Sequence, residues 1–455
     1  MRFVQRYFYI IYPSVFGLYV LNMFLGSTRL EWLIGLAAIP VLIFSYAGAS
    51  RLFRILGGVF IVAGAGLFLY AGLPAVQLPM QMTATMPLLA FLTVLPWMNS
   101  VVRAGRFDRR INDLMKVNVA DFGKLYVRSS FTTYLLVMFM NLSALPLTQE
   151  VLKGNMKNVK KRVSDSFISR VTLRAFTLAL LWSPMEVMVA MTVDATGVSY
   201  LTFLPWLFLA SVTLLMIDWL WNKKTFGQLE NVPDENRRIP NIQPGKMVWQ
   251  IAQLLLALTV FLGSVVTLGN GFGLDFILSV TLVILPFAFT WAFLMGRFRS
   301  FRVLGWNTWK VRTNGMQNFV VLFISLSLFS ESLNATPFME MIQGPFLAAA
   351  DTPILILLLI QFTYLAMSMI GVHPVATIAV LAEVLSPLYD LVNPVSIGII
   401  MIMGALATAT VGTYGVTVTM TAMNTEQNPY RITLRNMPFA LLCGSVGTLI
   451  GWLLL

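Results

Sequence analysis

Apolar residues occupy this chain in long unbroken runs, and charged residues gather in short stretches between them. A helix of about 20 apolar residues, rising about 1.5 Å per residue, crosses the roughly 30 Å of hydrocarbon in a bilayer. The pattern predicts spanning helices over 8–25, 31–47, 53–72, 83–101, 129–146, 199–220, 248–267, 273–296, 312–330, 392–410 and 433–455. The intervening polar stretches are 103–128, 150–174, 222–247 and 297–312. The third, with Pro233, Pro240 and Pro244 among charges, is the most loop-like. Arg2 and Arg6 precede the first run as they would in a signal peptide, but no small-residue cleavage site follows, so it is expected to stay as a first helix.

The loop-like stretch divides the chain, and matching dipeptides and longer motifs recur across it. Leu95-Pro96 pairs with Leu285-Pro286, Gly105-Arg106-Phe107 with Gly296-Arg297-Phe298, and Leu142-Ser143-Ala144-Leu145-Pro146 with Leu333-Asn334-Ala335-Thr336-Pro337. Ser183-Pro184 pairs with His373-Pro374 and Leu204-Pro205 with Asn393-Pro394, so all five anchors keep an offset of 189 to 191. Five proline- or glycine-marked anchors in one order at one spacing imply a duplication. The expected organisation is N-terminal helices in 1–49, a first repeat in 50–222, a polar loop in 223–247, a second repeat in 248–412, and a closing part in 413–455.

Composition narrows this reading to a bilayer. Hydrophobic residues make up 58% and charged residues 11% of the 455 positions, against about 45–50% and about 25% in soluble domains. The net charge of +12 sits beside the apolar runs and forms no stripe interleaved with aromatics, so it points to anionic headgroups and not to nucleic acid. Stretches 103–128 and 150–174 each hold seven Lys or Arg, and 297–312 holds five with no acid. All three favour the cytoplasmic face, whereas an inverted repeat puts 103–128 and 297–312 on opposite faces. Amphipathic interfacial helices over Ile111–Val127 and Val151–Val163 would ease that conflict. Cys443 is the one cysteine, which excludes an intrachain disulfide. No phosphate-cradling glycine loop, helical His/Glu metal pair or Gly-x-Ser-x-Gly turn occurs, so the chain is not expected to be an enzyme.

Proline breaks one apolar stretch in each half, at Trp182-Ser183-Pro184 within Phe176–Val193 and at Gly371-Val372-His373-Pro374 within Ile354–Leu385. Non-helical backbone survives in lipid only where protein or a water-filled cavity covers it. Matched breaks fit re-entrant hairpins whose second arm offers free N–H groups to an anion. Simple proline kinks in spanning helices are the other reading.

A third broken segment runs from Gly404 to Thr419 and mixes Gly412 and Gly415 with Thr408, Thr410, Thr413, Tyr414 and Thr417. Its hydroxyls and freed carbonyls are hard oxygen donors suited to Na⁺ or a polar solute, or they serve small-residue helix packing. The candidate solute contacts are Ser183, Pro184, His373, Pro374, Thr408, Thr410, Thr413 and Tyr414. The candidates for coupling an ion or proton are Glu186, His373, Thr410 and Gly412, with no metal beyond Na⁺ and no other cofactor. His373, the only histidine, either changes charge near neutral pH or caps the break. Among the acids of the hairpins, Asp194 and Glu383 are placed near solvated ends, while Glu186 lies near a tip and is the first to mutate.

With these tips and this unwound stretch, the chain resembles the ion transporter superfamily, whose members include divalent anion/sodium symporters and related permeases. Each repeat of that family has an amphipathic connector, a re-entrant hairpin with a short polar tip, and a helix unwound in its middle. The resemblance places tips at Gly371-Val372-His373-Pro374 and Trp182-Ser183-Pro184 and the unwound segment at Thr408–Thr417. Neither tip reads Ser-Asn-Thr as in the best-known subgroup, and Phe203–Leu220 has no glycine at which to unwind. The resemblance implies an elevator mechanism, a homodimer and a multi-pass place in a bacterial plasma membrane.

The expected fold is therefore all-α and polytopic, with two structural repeats, each carrying a re-entrant hairpin and a broken helix. The expected function is secondary active transport of a small anionic organic solute, coupled to Na⁺ or H⁺. The rival is a non-transporting membrane protein that handles the headgroup of a lipid or envelope-polymer precursor.

Overall fold

The computed structural model describes residues 5–107, 115, 121–157, 159–228, 244–349 and 351–455. Among them every regular element is a helix. In chain order these are α1 (Phe8–Leu25), α2 (Thr28–Gly48), α3 (Arg51–Tyr70), α4 (Met86–Ala104), α5 (Phe122–Met140), α6 (Ala144–Asn155), α7 (Lys161–Leu180), α8 (Val187–Thr196) and α9 (Tyr200–Gly227). There follow α10 (Pro244–Phe272), α11 (Phe276–Leu294), α12 (Phe298–Asn314), α13 (Gln317–Asn334), α14 (Phe338–Ala348), α15 (Pro353–Met369), α16 (Pro374–Leu385), α17 (Pro394–Ala407), α18 (Val416–Thr425) and α19 (Pro429–Leu453).

Nine helical segments among the described residues are long and apolar enough to cross a membrane. On α3, Val59, Val62 and Leu69 are 58%, 75% and 78% exposed, a surface that lipid accepts and water does not.

Several expected boundaries move. Stretch 297–312 is not a loop but α12, because no breaker interrupts it; it buries Phe301 and Gly305 and exposes Val303 and Trp306 beside its basic residues. The expected span 312–330 accordingly starts later, at Gln317, after a 52° bend between α12 and α13. The span 392–410 is helical only over Pro394–Ala407 before a tighter turn. The polar loop 223–247 is helical at both ends, where α9 runs on to Gly227 and α10 starts at Pro244; 229–243 lie outside the described residues. Of the connector Ile111–Val127, positions 111–114 and 116–120 also lie outside them, and Phe122 opens α5. Val151–Val163 is divided, since α6 ends at Asn155 and α7 begins at Lys161.

The chain forms two compact units, neither of which is a sequence half. Unit 1 comprises Met1–Ala104, Gly263–Ala348 and Ala379–Pro387. In it α13 lies along α3 and α2, and α4 packs on α11, α12 and α1. Gly57 and Gly64, two turns apart on α3, face Val321 and the backbone of Phe329, so the absence of a Cβ lets α13 approach closely. Trp97 joins Phe289, Phe301 and Trp309 in an aromatic cluster, and the Trp309 indole N–H donates to the Thr93 carbonyl at 3.0 Å.

Unit 2 comprises Gly105–Leu262, Ala349–Ile378 and Leu388–Leu455. Here α5 packs on α7 and α9, α17 packs on α19, α15 and α8, and α18 packs on α6. One end is closed by a buried cluster that includes Phe122, Tyr126, Phe167 and Phe226, with Phe167 and Phe226 edge to face at 5.0 Å.

Candidate functional site

Among the described residues of unit 2, helices break at 141–143, 181–186, 370–373 and 408–415, four of the interruptions in that unit. Each leaves backbone donors and acceptors without helical partners, and the groups that bond them define the site.

At the first proline break α7 ends with Leu180, whose carbonyl accepts the Ser183 N–H at 3.1 Å. Pro184 has no N–H to place, and Ser183 Oγ accepts the Met185 N–H at 3.4 Å. The Trp182 indole N–H donates to Tyr134 Oη at 2.5 Å, and the Trp182 carbonyl accepts from the Tyr200 hydroxyl at 2.5 Å. Tyr134 also bonds Ser211 Oγ at 2.8 Å, and that hydroxyl donates to the Leu178 carbonyl at 2.7 Å. The break is thus tied to α5 on one side and α9 on the other.

Glu186, only 5% exposed, accepts the Asn141 side-chain amide at 3.2 Å. Asn141 opens the break after α5 with a φ of 45°. Two breaks therefore meet through one buried carboxyl group.

At the second proline break Gly371 has a φ of 91°, and a Cβ there would lie 3.4 Å from Tyr414. This places the break against the unwound segment. His373 is half-buried, and its Nδ1 accepts the Val375 N–H at 3.3 Å. The imidazole therefore caps α16, which Pro374 opens; the bond assigns the neutral ring's proton to Nε2.

In the unwound segment Thr408 and Thr410 turn their hydroxyls to the carbonyls of Ala405 and Ala407, at 2.5 and 2.9 Å. The Gly412 and Gly415 N–H groups bond the carbonyls of Thr408 and Gly412. Thr177, Thr417 and Thr433 donate to the carbonyls of Leu406, Ala409 and Val411, and Thr413 pairs with Thr433 at 3.0 Å. Tyr414 is 54% exposed and bonds Tyr430 hydroxyl to hydroxyl at 2.7 Å. A cavity of about 10 Å³ beside Thr408, Val411 and Gln361 has room for one water. Among the described residues no three His, Cys, Asp or Glu side chains gather.

The remaining acids lie apart from these residues. Asp194 is exposed near the end of α8. Glu383 belongs to unit 1, where its carboxylate accepts from Ser330 Oγ at 3.1 Å and the Asn334 amide at 3.0 Å. Glu383 lies two residues before the end of α16 and is half-buried.

The strongest polar cluster was not singled out from sequence. Arg174 and Asp218 form a buried ion pair at 2.7 Å. Asp218 also accepts from the Tyr126 hydroxyl at 2.8 Å and the Asn222 amide at 2.9 Å, while Arg174 reaches Asn436 Oδ1 at 3.0 Å and the Arg435 carbonyl at 3.2 Å. It joins α5, α7, α9 and α19. The available signal was a lone acid inside the apolar run 199–220.

No protein-family model and no curated protein sequence matches the chain. Its fold is similar to that of a solved transporter. YdaH of Alcanivorax borkumensis aligns over 88% of this chain and 96% of its own, with a TM-score of 0.56 and 16% identity. At that identity the likeness is one of fold, an all-helical polytopic membrane architecture.

Proposed function

We propose that this chain is a secondary active transporter that moves a small anionic organic solute across a membrane, driven by Na⁺ or H⁺. The observation that carries the reading is the gathering of four helix breaks in unit 2, two of them joined through the buried Glu186 and Asn141. Broken helices at membrane depth are costly and are kept where they bind a solute or an ion. YdaH, similar in fold, is a transporter.

In this reading Ser183, Pro184, His373, Pro374, Thr408, Thr410, Thr413 and Tyr414 contact the solute, and Glu186, His373, Thr410 and Gly412 serve coupling. An elevator mechanism assigns the carrying role to unit 2 and the static role to unit 1. A homodimer in a bacterial plasma membrane completes the proposal.

The duplication has support in local structure. Helices α4 and α11 are both 19 residues long, and Met86 and Phe276, their first residues, stand 190 apart as the sequence anchors do. Two residues past each helix end, Arg106 and Gly296 have φ of 59° and 63°.

The test is uptake by proteoliposomes of a panel of radiolabelled mono- and dicarboxylates, with Na⁺ and H⁺ gradients imposed separately. Accumulation that one ion gradient drives and Glu186→Gln abolishes is the expected result. No accumulation of any anion under either gradient would sink the reading.

A further inference from the structure

We propose that an arginine-lined cavity in unit 2 binds the phosphate of an anionic phospholipid. The cavity, about 130 Å³, lies among Arg170 and Arg174 of α7, Asp218 and Trp221 of α9, and Arg435 and Leu442 of α19. That is several water molecules' worth of space, enough for a headgroup phosphate but not for acyl chains.

Its three guanidinium groups are not equally engaged. Arg174 spends Nε, Nη1 and Nη2 on Asn436, Asp218 and the Arg435 carbonyl, and so belongs to the framework. Asp218 is likewise committed, to Arg174, Tyr126 and Asn222. Arg170 reaches Asn222 Oδ1 through Nη1 at 3.2 Å, but its Nε is buried with no acceptor. Arg435 places Nη1 on Gln427 Oε1 at 2.8 Å and feels the charges of Asp165, Arg431 and Arg162. A guanidinium carries five N–H donors in a fixed fork, and a phosphate presents several oxygen acceptors in the matching geometry.

Position and walls favour a lipid over a free anion. Arg435 stands six residues after Pro429, which opens α19, and Trp221 six residues before Gly227, which ends α9. Arg170 is nine residues into α7. Arg435 and Trp221 therefore stand about 9 Å of helix from the ends of the spans α19 and α9, within reach of headgroups, while Arg170 meets them from the middle of α7. Its rim continues onto apolar side chains turned outward, with Trp221 and Leu220 each 71% exposed and Leu442 36% exposed. Acyl chains extend along that surface while the phosphate enters the cavity. Lys161, Arg162 and Arg431 surround the same end and raise the local concentration of anionic lipid.

The test uses the full chain, delipidated in a neutral detergent, without any transported solute, so it stands apart from the transport reading. Binding of phosphatidylglycerol, phosphatidylcholine and inorganic phosphate is measured by native mass spectrometry and by the shift in unfolding midpoint. The expected result is preferential retention of phosphatidylglycerol and an affinity at least about tenfold lower in the double variant Arg170→Gln, Arg435→Gln, the size of one lost charge-assisted hydrogen bond. The double variant Arg297→Gln, Arg299→Gln removes as much charge elsewhere and is expected to bind as the parent does. If the Arg170, Arg435 double variant does not fold, Arg435→Lys alone, which keeps the charge but loses the fork, is expected to weaken binding. Equal retention of both lipids, equal loss in the remote variant, unchanged binding in Arg435→Lys, or phosphate protecting as well as phosphatidylglycerol at equal concentration overturns the proposal.

Discussion

Arg174 and Asp218 lie 2.7 Å apart in the interior of unit 2, and between them they take donors or acceptors from four helices. The side chain of Asp218 is 1% exposed and that of Arg174 10%. Removing one partner leaves the other charge buried without its counter-ion, at a cost of about 3–5 kcal/mol. Asp218→Ala is expected to lower stability by that amount and Asp218→Asn by less, since the amide still offers an oxygen to Arg174. Unfolding midpoints in detergent check the order, and an Asp218→Ala protein as stable as the parent would contradict it.

Glu186 and Asn141 join two helix breaks at 3.2 Å. Asn141→Ala removes the side-chain donor from a buried carboxyl group, which costs about 1–3 kcal/mol. Asn141→Asp places two acids together. Both variants are expected to lose uptake, and Asn141→Asp is expected to regain part of it at low pH, where one carboxyl group is protonated. Uptake in proteoliposomes across pH reads the difference; identical profiles for the two variants count against a coupling role.

A Cβ added at Gly64 would lie 3.0 Å from the backbone of Phe329, whereas one at Gly66 on the same helix would have nothing within 4 Å. A larger side chain at position 64 must push α13 away, because backbone does not rotate aside as a side chain does. Gly64→Leu is expected to cost at least about 2 kcal/mol and to broaden the gel-filtration peak. Gly66→Leu is expected to behave as the parent, and equal behaviour of the two refutes the packing assignment.

Arg106 holds a φ of 59°, the left-handed region that Gly296 occupies at 63° in the other half. A side chain in that region costs about 1–2 kcal/mol, part of which glycine returns through the freedom of the unfolded chain. Arg106→Gly is expected to raise stability by about 0.5–1 kcal/mol and Gly296→Arg to lower it by about 1. The pair of unfolding midpoints decides, and shifts of the same sign in both variants exclude the shared conformation as the cause.

Much of the helical outline was legible in the sequence because lipid imposes one requirement on every span: enough apolar length with all backbone groups bonded. The helix starting at Phe8 and the breaks at Trp182, at Gly371 and after Ala407 follow from that rule and from proline and glycine chemistry. The helix over Phe298–Asn314 was hidden, because its basic residues read as a loop and its apolar residues fall on more than one face. The partners of Glu383, Ser330 and Asn334, could not be read from the sequence because they are about 50 positions away.

By itself the sequence determined that the chain is helical, that it belongs in a bilayer and where its helices break, since hydrophobic length and backbone chemistry are local properties. The tertiary structure decided which side chains meet. It put Glu186 on Asn141, used His373 as a helix cap, turned Thr408 and Thr410 back on their own helix, and made an ion pair of Arg174 and Asp218. Those pairings depend on how helices distant in sequence pack, and a buried polar group is bound to whatever partner that packing brings within reach.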